Sequence, residues 1–239
     1  MSQYSPLLAI ITGSFELLAA LYFFILFKNR KINTGIKPLI TILFFLSGYQ
    51  LMEAANCVFP GNTMLVRFSF ADITWLPALG VYYSYKINNS EKKSYKRISF
   101  LFTSSAIFFT GWFIMNPLSV RLKSCQAFFA TYTNEFPVFQ YYGLYYQLGM
   151  LFMVIFSVQA LVTTENTRER MIISDFVIGS LLFIIPSLII TAFYAKFRGS
   201  MPSVMCHFAL FLGVFIVKSL IREQKYENIS VYDVFPINQ

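Results

Sequence analysis

A chain of 239 residues that is 56% hydrophobic and only 13% charged has too little polar surface for a soluble fold, where roughly a quarter of residues carry charge. The formal net charge of +8 does not indicate nucleic acid, because the basic residues sit in short clusters between apolar runs. Composition therefore excludes a soluble globular domain and a polyanion-binding stripe, and makes lipid the solvent for most of the surface.

Apolar runs long enough for a hydrocarbon core of about 30 Å number seven. The first covers about 6–27 and stops at Lys28, Arg30 and Lys31. The second, 38–59, ends in the turn Pro60-Gly61-Asn62-Thr63, and the third, 64–85, carries Pro77 as a kink. A polar linker from Asn88 to Arg97 leads to the fourth, 98–116, and a longer loop with Cys125 reaches about Gln140. The fifth covers 141–162, followed by the charged turn Glu165 to Arg170. The sixth and seventh cover 171–194 and 201–221, and a polar tail occupies 222–239, too short for a catalytic domain. The expected fold is an all-α, integral membrane seven-helix bundle forming one domain over 1–239.

Lys and Arg counting orients this bundle. Fourteen of the 19 basic residues fall at one set of helix ends and loops, and five (Arg67, Arg121, Lys123, Lys196 and Arg198) at the other. The richer side is expected in the cytoplasm, with the N-terminus outside and the C-terminus inside a cell membrane, the inner membrane for a bacterial source. Helix 1 lacks a basic leader and a small-residue cleavage site, so it reads as a retained span. The sequons at Asn88-Asn89-Ser90 and Asn228-Ile229-Ser230 then face the cytoplasm. Lys218 is expected to snorkel to the headgroups.

An ionisable group near the bilayer centre costs about 2.5–3.5 kcal/mol on insertion scales, so each one is a functional candidate. At about 1.5 Å per residue, Glu53, Asp72 and His207 share one layer roughly 8–12 Å from the outer ends of three helices, and Glu16 lies near mid-span. Gln50, Glu53 and Asn56 recur at helical spacing, and Asp72 shares a face with Trp75. One reading is an outward-facing polar pocket of Glu53, Asn56, Asp72, Trp75 and His207, with Arg67 at its mouth and Glu16 extending a proton or ion path inward. The other is interhelical hydrogen bonding that fixes the bundle. Asp175, a turn from the inner end of its helix, reads as interfacial. Cys57 and Cys125 both fall on the outer side, either as a disulfide that ties the loop over the bundle mouth or as two unrelated thiols. Cys206 reads as a packing residue. With one histidine and no CxxC, HExxH, GxSxG or Walker pattern, no metal, cofactor or catalytic residue is expected.

Leu46-Ser-Gly-Tyr-Gln-Leu-Met-Glu53, Thr74-Trp75-Leu76-Pro77 and Tyr83-Ser84-Tyr85 resemble the seven-helix sensor regions found ahead of bacterial histidine kinases. The tail Lys225-Tyr226 to Tyr232-Asp233-Val234-Phe235-Pro236 is similar to their exit segments. The run Pro202-Ser203-Val204-Met205-Cys206-His207 also resembles a Pro-Ser-x-x-Cys element in an uncharacterised group of small bacterial and algal membrane proteins. The first resemblance implies a receptor-like sensor that takes a small molecule or ion from outside and signals to a cytoplasmic protein or a second copy, with membrane lipids as its other partners. A small transporter or proton-coupled channel is the alternative, and a lipid-modifying enzyme a third reading that lacks a visible nucleophile or metal. A His207 that titrates near pH 6.5 would make either of the first two pH-sensitive.

Overall fold

The computed structural model describes residues 6–28, 35–88, 93–126, 130–134, 137–193 and 201–227. Eight helices and one β-hairpin are found in this region. They are α1 (Leu7–Phe27), α2 (Ile36–Val58), α3 (Thr63–Ile73), α4 (Trp75–Ile87), α5 (Lys93–Met115), β1 (Val120–Cys125), β2 (Ala130–Asn134), α6 (Val138–Thr163), α7 (Thr167–Phe193) and α8 (Met201–Tyr226). Helices α3 and α4 form one continuous span, so seven helical units are long and apolar enough to cross a membrane. Large apolar side chains such as Phe100, Ile107, Phe108 and Val162 point outward from these units. In water that surface would be an aggregation liability; in lipid it is the required face.

The kink expected from Pro77 is a break at Thr74. Proline has no N–H to offer the carbonyl four residues back, and the helix opens just before it. Tyr145 of α6 donates its hydroxyl to the Thr74 carbonyl at 2.7 Å, and Thr74 Oγ1 donates to Phe70 O at 2.6 Å. The break is therefore sealed by side chains, as lipid demands. The turn before α3 follows its sequence closely. Gly61 takes a φ of +102°, a left-handed conformation that L side chains rarely adopt, and Asn62 caps α3 by accepting the Leu65 N–H at 3.2 Å.

Helix α2 occupies the middle of the bundle, packed by α1, α3, α4 and α8, while α5 is the helix least enclosed by protein. Several boundaries differ from the sequence reading: α6 begins at Val138, and α7 begins at Thr167, inside the expected charged turn. Helix α5 begins at Lys93, inside the expected polar linker, and α8 continues through Arg222 and Glu223 to Tyr226. The extension of α8 has a clear cause. Arg168 of α7 pairs with Glu223 at 2.6 Å and Glu227 at 2.5 Å, while Lys218 and Arg222 of α8 grip Asp175 at 2.9 and 3.2 Å. Charges that read as interfacial or as tail thus lock α7 to α8. Asp175 is 3% exposed, and Lys218 combines partial exposure with its ion pair.

The loop between α5 and α6 is not irregular. β1 and β2 pair antiparallel from Val120↔Asn134 to Cys125↔Ala130, with an irregularity between Leu122 and Ser124. Val120, Ala130 and Tyr132 are buried on its inner side, and the Tyr132 ring meets Phe70 edge-on at 4.9 Å. A disulfide joins Cys57, at the end of α2, to Cys125 of β1, with the Cα atoms 5.9 Å apart. The hairpin is therefore a tied cap over one end of the bundle. Asn89 and Ser90 of the first sequon, the Asn228 sequon, Lys196, Arg198 and the exit-like tail from 228 onward lie outside the described residues.

Candidate functional site

Beneath the hairpin, three elements meet at one carboxyl group. Glu53 of α2 is 2% exposed, and its Oε1 accepts a hydrogen bond from the Ser203 hydroxyl of α8. The Ala130 backbone N–H of β2 lies 3.3 Å from the same oxygen and 2.9 Å from Ser203 Oγ. Local sequence explains the convergence. Ser203 lies in the first turn of α8 with a small side chain, and Ala130 at the start of β2 lets the strand backbone approach the helices. A pairing in which each polar group answers another is what a buried carboxyl group needs.

Around this point lie Tyr49, Asn56 and Tyr132, all buried. Both phenols lie close to Glu53 and to each other, and Tyr132 lies beside Asn56. Asn56 Nδ2 donates to Ser69 Oγ at 3.2 Å, but its Oδ1 and the two phenol oxygens have no hydrogen bond of ordinary geometry. Burial pushes the Tyr132 phenol well above its usual range, so it remains a neutral donor. His207 sits one turn below Ser203 and its Nδ1 lies 2.9 Å from the Ser203 carbonyl. Glu53 and His207 line a small cleft with Thr12, Gln50 and Cys206, whose free volume of about 10 Å³ matches one water molecule.

A polar seam leads from this cleft toward mid-span. Gln50 accepts from the Thr12 hydroxyl, donates to Glu16 Oε2 at 3.1 Å, and lies 3.4 Å from the Cys206 carbonyl. Glu16 is fully buried, its second oxygen lacks a hydrogen-bond partner, and it fills the space left by Gly213 of α8. The seam joins α1, α2 and α8, and Glu16 belongs to it.

Asp72, Trp75 and Arg67 belong elsewhere. Asp72 and Trp75 do share a face, but that face lines a separate cleft between α2, α3 and α5, with Phe45, Phe68 and Thr110. Arg67 donates to the Ile114 carbonyl at 3.0 Å, tying α3 to the end of α5. The structure thus brings together Glu53, Asn56 and His207 of the expected pocket, links Glu16 to them through Gln50, and turns Asp72 and Trp75 away. Sequence reading passed over Ser203, Tyr49, Thr12 and the hairpin groups. The spacings of Ser203 to His207 and Thr12 to Glu16, each one helical turn, were the available signal. Among the described residues no group of three or more His, Cys, Asp or Glu side chains is placed to hold a metal ion.

Seven apolar helices of spanning length, two ion-paired last helices and a disulfide-tied hairpin define a multi-pass membrane protein with a capped bundle. No protein-family model matches the chain, and no curated protein matches it.

Proposed function

We propose that the protein is a seven-helix membrane receptor whose sensing element is the hairpin-capped junction at Glu53, with the hairpin end outside the cell and the ion-paired end of α7 and α8 in the cytoplasm. The observation that carries this reading is that one buried carboxyl group bonds both the cap and the last helix. A ligand that competes for Glu53 frees the hairpin and α8 together. Helix α8 then repacks against α7, and its far end presents a changed surface to a cytoplasmic partner or a second copy. The closed junction has room for a water-sized guest or a small ion, so a larger ligand binds only with the hairpin lifted. The charge distribution and the disulfide support the orientation, since disulfides persist in oxidising compartments.

The test is a ligand screen by thermal shift on the purified protein in lipid nanodiscs. Small ions and polar metabolites that stabilise the wild type should lose their effect in Glu53→Gln and in Ser203→Ala. Ligands whose shifts survive both substitutions remove the site. A transporter reading draws on the seam through Gln50 to Glu16. It requires substrate flux in proteoliposomes that Glu16→Gln abolishes.

A further inference from the structure

The cleft that holds Asp72 has the chemistry of a cation site, and nothing in the Glu53 junction uses it. Its free volume is about 370 Å³, within the roughly 300–1,000 Å³ of ordinary ligand pockets. Its walls are apolar and aromatic, from Phe45, Met52, Phe68 and Trp75, and the Phe45 and Trp75 rings lie 6.2 Å apart, tilted by 30°. Into this cleft the chain places one carboxyl group and one hydroxyl, Asp72 and Thr110.

Asp72 is positioned rather than merely tolerated there. A Cβ at residue 48 would stand 2.9 Å from Asp72 Oδ1, so Gly48 creates the notch that seats the carboxyl against α2, where the Tyr49 backbone N–H faces it. The other oxygen, Oδ2, has no hydrogen-bond partner. No Lys, Arg or His among the described residues pairs with Asp72. Arg67, the basic residue nearest in the sequence, spends its Nη1 on the Ile114 carbonyl at 3.0 Å and its Nη2 on Met64 Sδ at 2.8 Å. A carboxylate without a partner in an apolar, membrane-level cleft is costly until a proton or a cation completes it, and a cation in the cleft competes with the proton for that place. Aromatic faces within about 6 Å add a second attraction for the same charge.

We propose that the cleft between α2, α3 and α5 binds an organic cation on an apolar body, an alkylamine or quaternary ammonium that partitions into the membrane and enters from the lipid side. The head group pairs with Asp72 under the faces of Trp75 and Phe45, and the apolar body lies along Phe68 and Met52. An anion is disfavoured by Asp72. A neutral amphiphile gains the apolar contact and forgoes the pairing.

Trp75 reports the site directly, because the chain has only two tryptophans. The experiment uses the Trp112→Phe protein in zwitterionic phosphatidylcholine vesicles, titrated with brominated dodecyltrimethylammonium or the matching brominated dodecanol, concentrations corrected for partitioning. The cation should quench Trp75 at roughly tenfold lower membrane concentration than the alcohol, a difference of about 1.4 kcal/mol. Asp72→Asn should erase the difference, and Gly48→Ala, which crowds the carboxyl, should reduce it. In the Trp112→Phe protein with Asp72 intact, unbrominated dodecyltrimethylammonium should restore the fluorescence, a control that does not depend on whether Asp72→Asn folds. Equal quenching by cation and alcohol, or no recovery on competition, overturns the proposal, as does a preference that survives Asp72→Asn in a folded protein. Glu53→Gln leaves this binding unchanged, so its outcome is independent of the receptor reading.

Discussion

Ser203→Ala isolates the junction under the hairpin with a single oxygen atom. The substitution removes the hydroxyl that Glu53 accepts from and that lies 2.9 Å from the Ala130 N–H, leaving that N–H with Glu53 at 3.3 Å. A hydrogen bond to a charged acceptor contributes about 1.5–3 kcal/mol and one to a neutral acceptor about 0.5–1.5, so a loss of about 2 kcal/mol is expected. Because Ser203 Oγ bonds the Ala130 N–H directly, the loss should fall first on the hairpin. Hydrogen exchange of the β2 segment, followed by mass spectrometry in nanodiscs, should then accelerate by about 30-fold, since each 1.36 kcal/mol is a factor of ten. Ser203→Thr should restore part of the protection. The coupling should also be visible in a double-mutant cycle, with Glu53→Gln and Ser203→Ala together costing less than the sum of the two alone. Exchange at β2 within threefold of wild type, or strict additivity, would refute the claim that Glu53 and Ser203 act as one junction.

The remaining predictions concern the frame around this site. Reducing the Cys57–Cys125 bond, or replacing both residues with serine, should lower stability by up to about 4 kcal/mol from its sequence separation of 68 and less where the bundle already confines the loop. The loss should appear in hairpin exchange before it appears in global melting. Gly149→Ala should cost more than Gly80→Ala, measured by unfolding in mixed micelles. A Cβ at Gly149 would lie 2.5 Å from the Pro77 ring, which cannot move aside, whereas at Gly80 it meets the flexible Met153 side chain; the first should cost about 1–3 kcal/mol. Arg168→Ala leaves Glu223, which is fully buried, without its cation, and should destabilise the α7–α8 pair by about 3 kcal/mol, with Arg168→Ala/Glu223→Gln recovering much of the loss.

The seven spans were legible because lipid imposes a coarse rule on composition and length, and runs such as 6–27 obey it without help from tertiary contacts. The break at Thr74 was legible through Pro77, whose missing N–H acts locally. The hairpin was not. Val120-Arg-Leu-Lys alternates apolar and basic residues, but four residues of alternation in a loop carry little weight against the helical pattern on either side. The end of α8 was misread for a different reason: Arg222 and Glu223 look like a polar tail until Arg168 and Asp175, some fifty residues earlier, supply their partners. Depth arithmetic put Glu53, Asp72 and His207 in one layer, and helical spacing added Asn56 and Trp75 to them. It said nothing of azimuth, and so it merged Asp72 and Trp75 into a pocket that they do not share. Which way a side chain faces around a helix axis is set by how the helices pack, and the Asp72 carboxyl lies in the notch left by Gly48 on α2.

The receptor account stands or falls on transmission from the junction to the far end of α8, about 33 Å from Ser203 at 1.5 Å per residue. The most direct measurement places a fluorine probe at Lys225→Cys, an exposed position on the last turn of α8, and compares ¹⁹F spectra of the Glu53 and Glu53→Gln proteins in nanodiscs. The account predicts a changed population of probe environments in Glu53→Gln, matched by faster exchange in β2. Identical spectra alongside a loosened hairpin would contradict it, and would leave the junction as a local clasp for the cap.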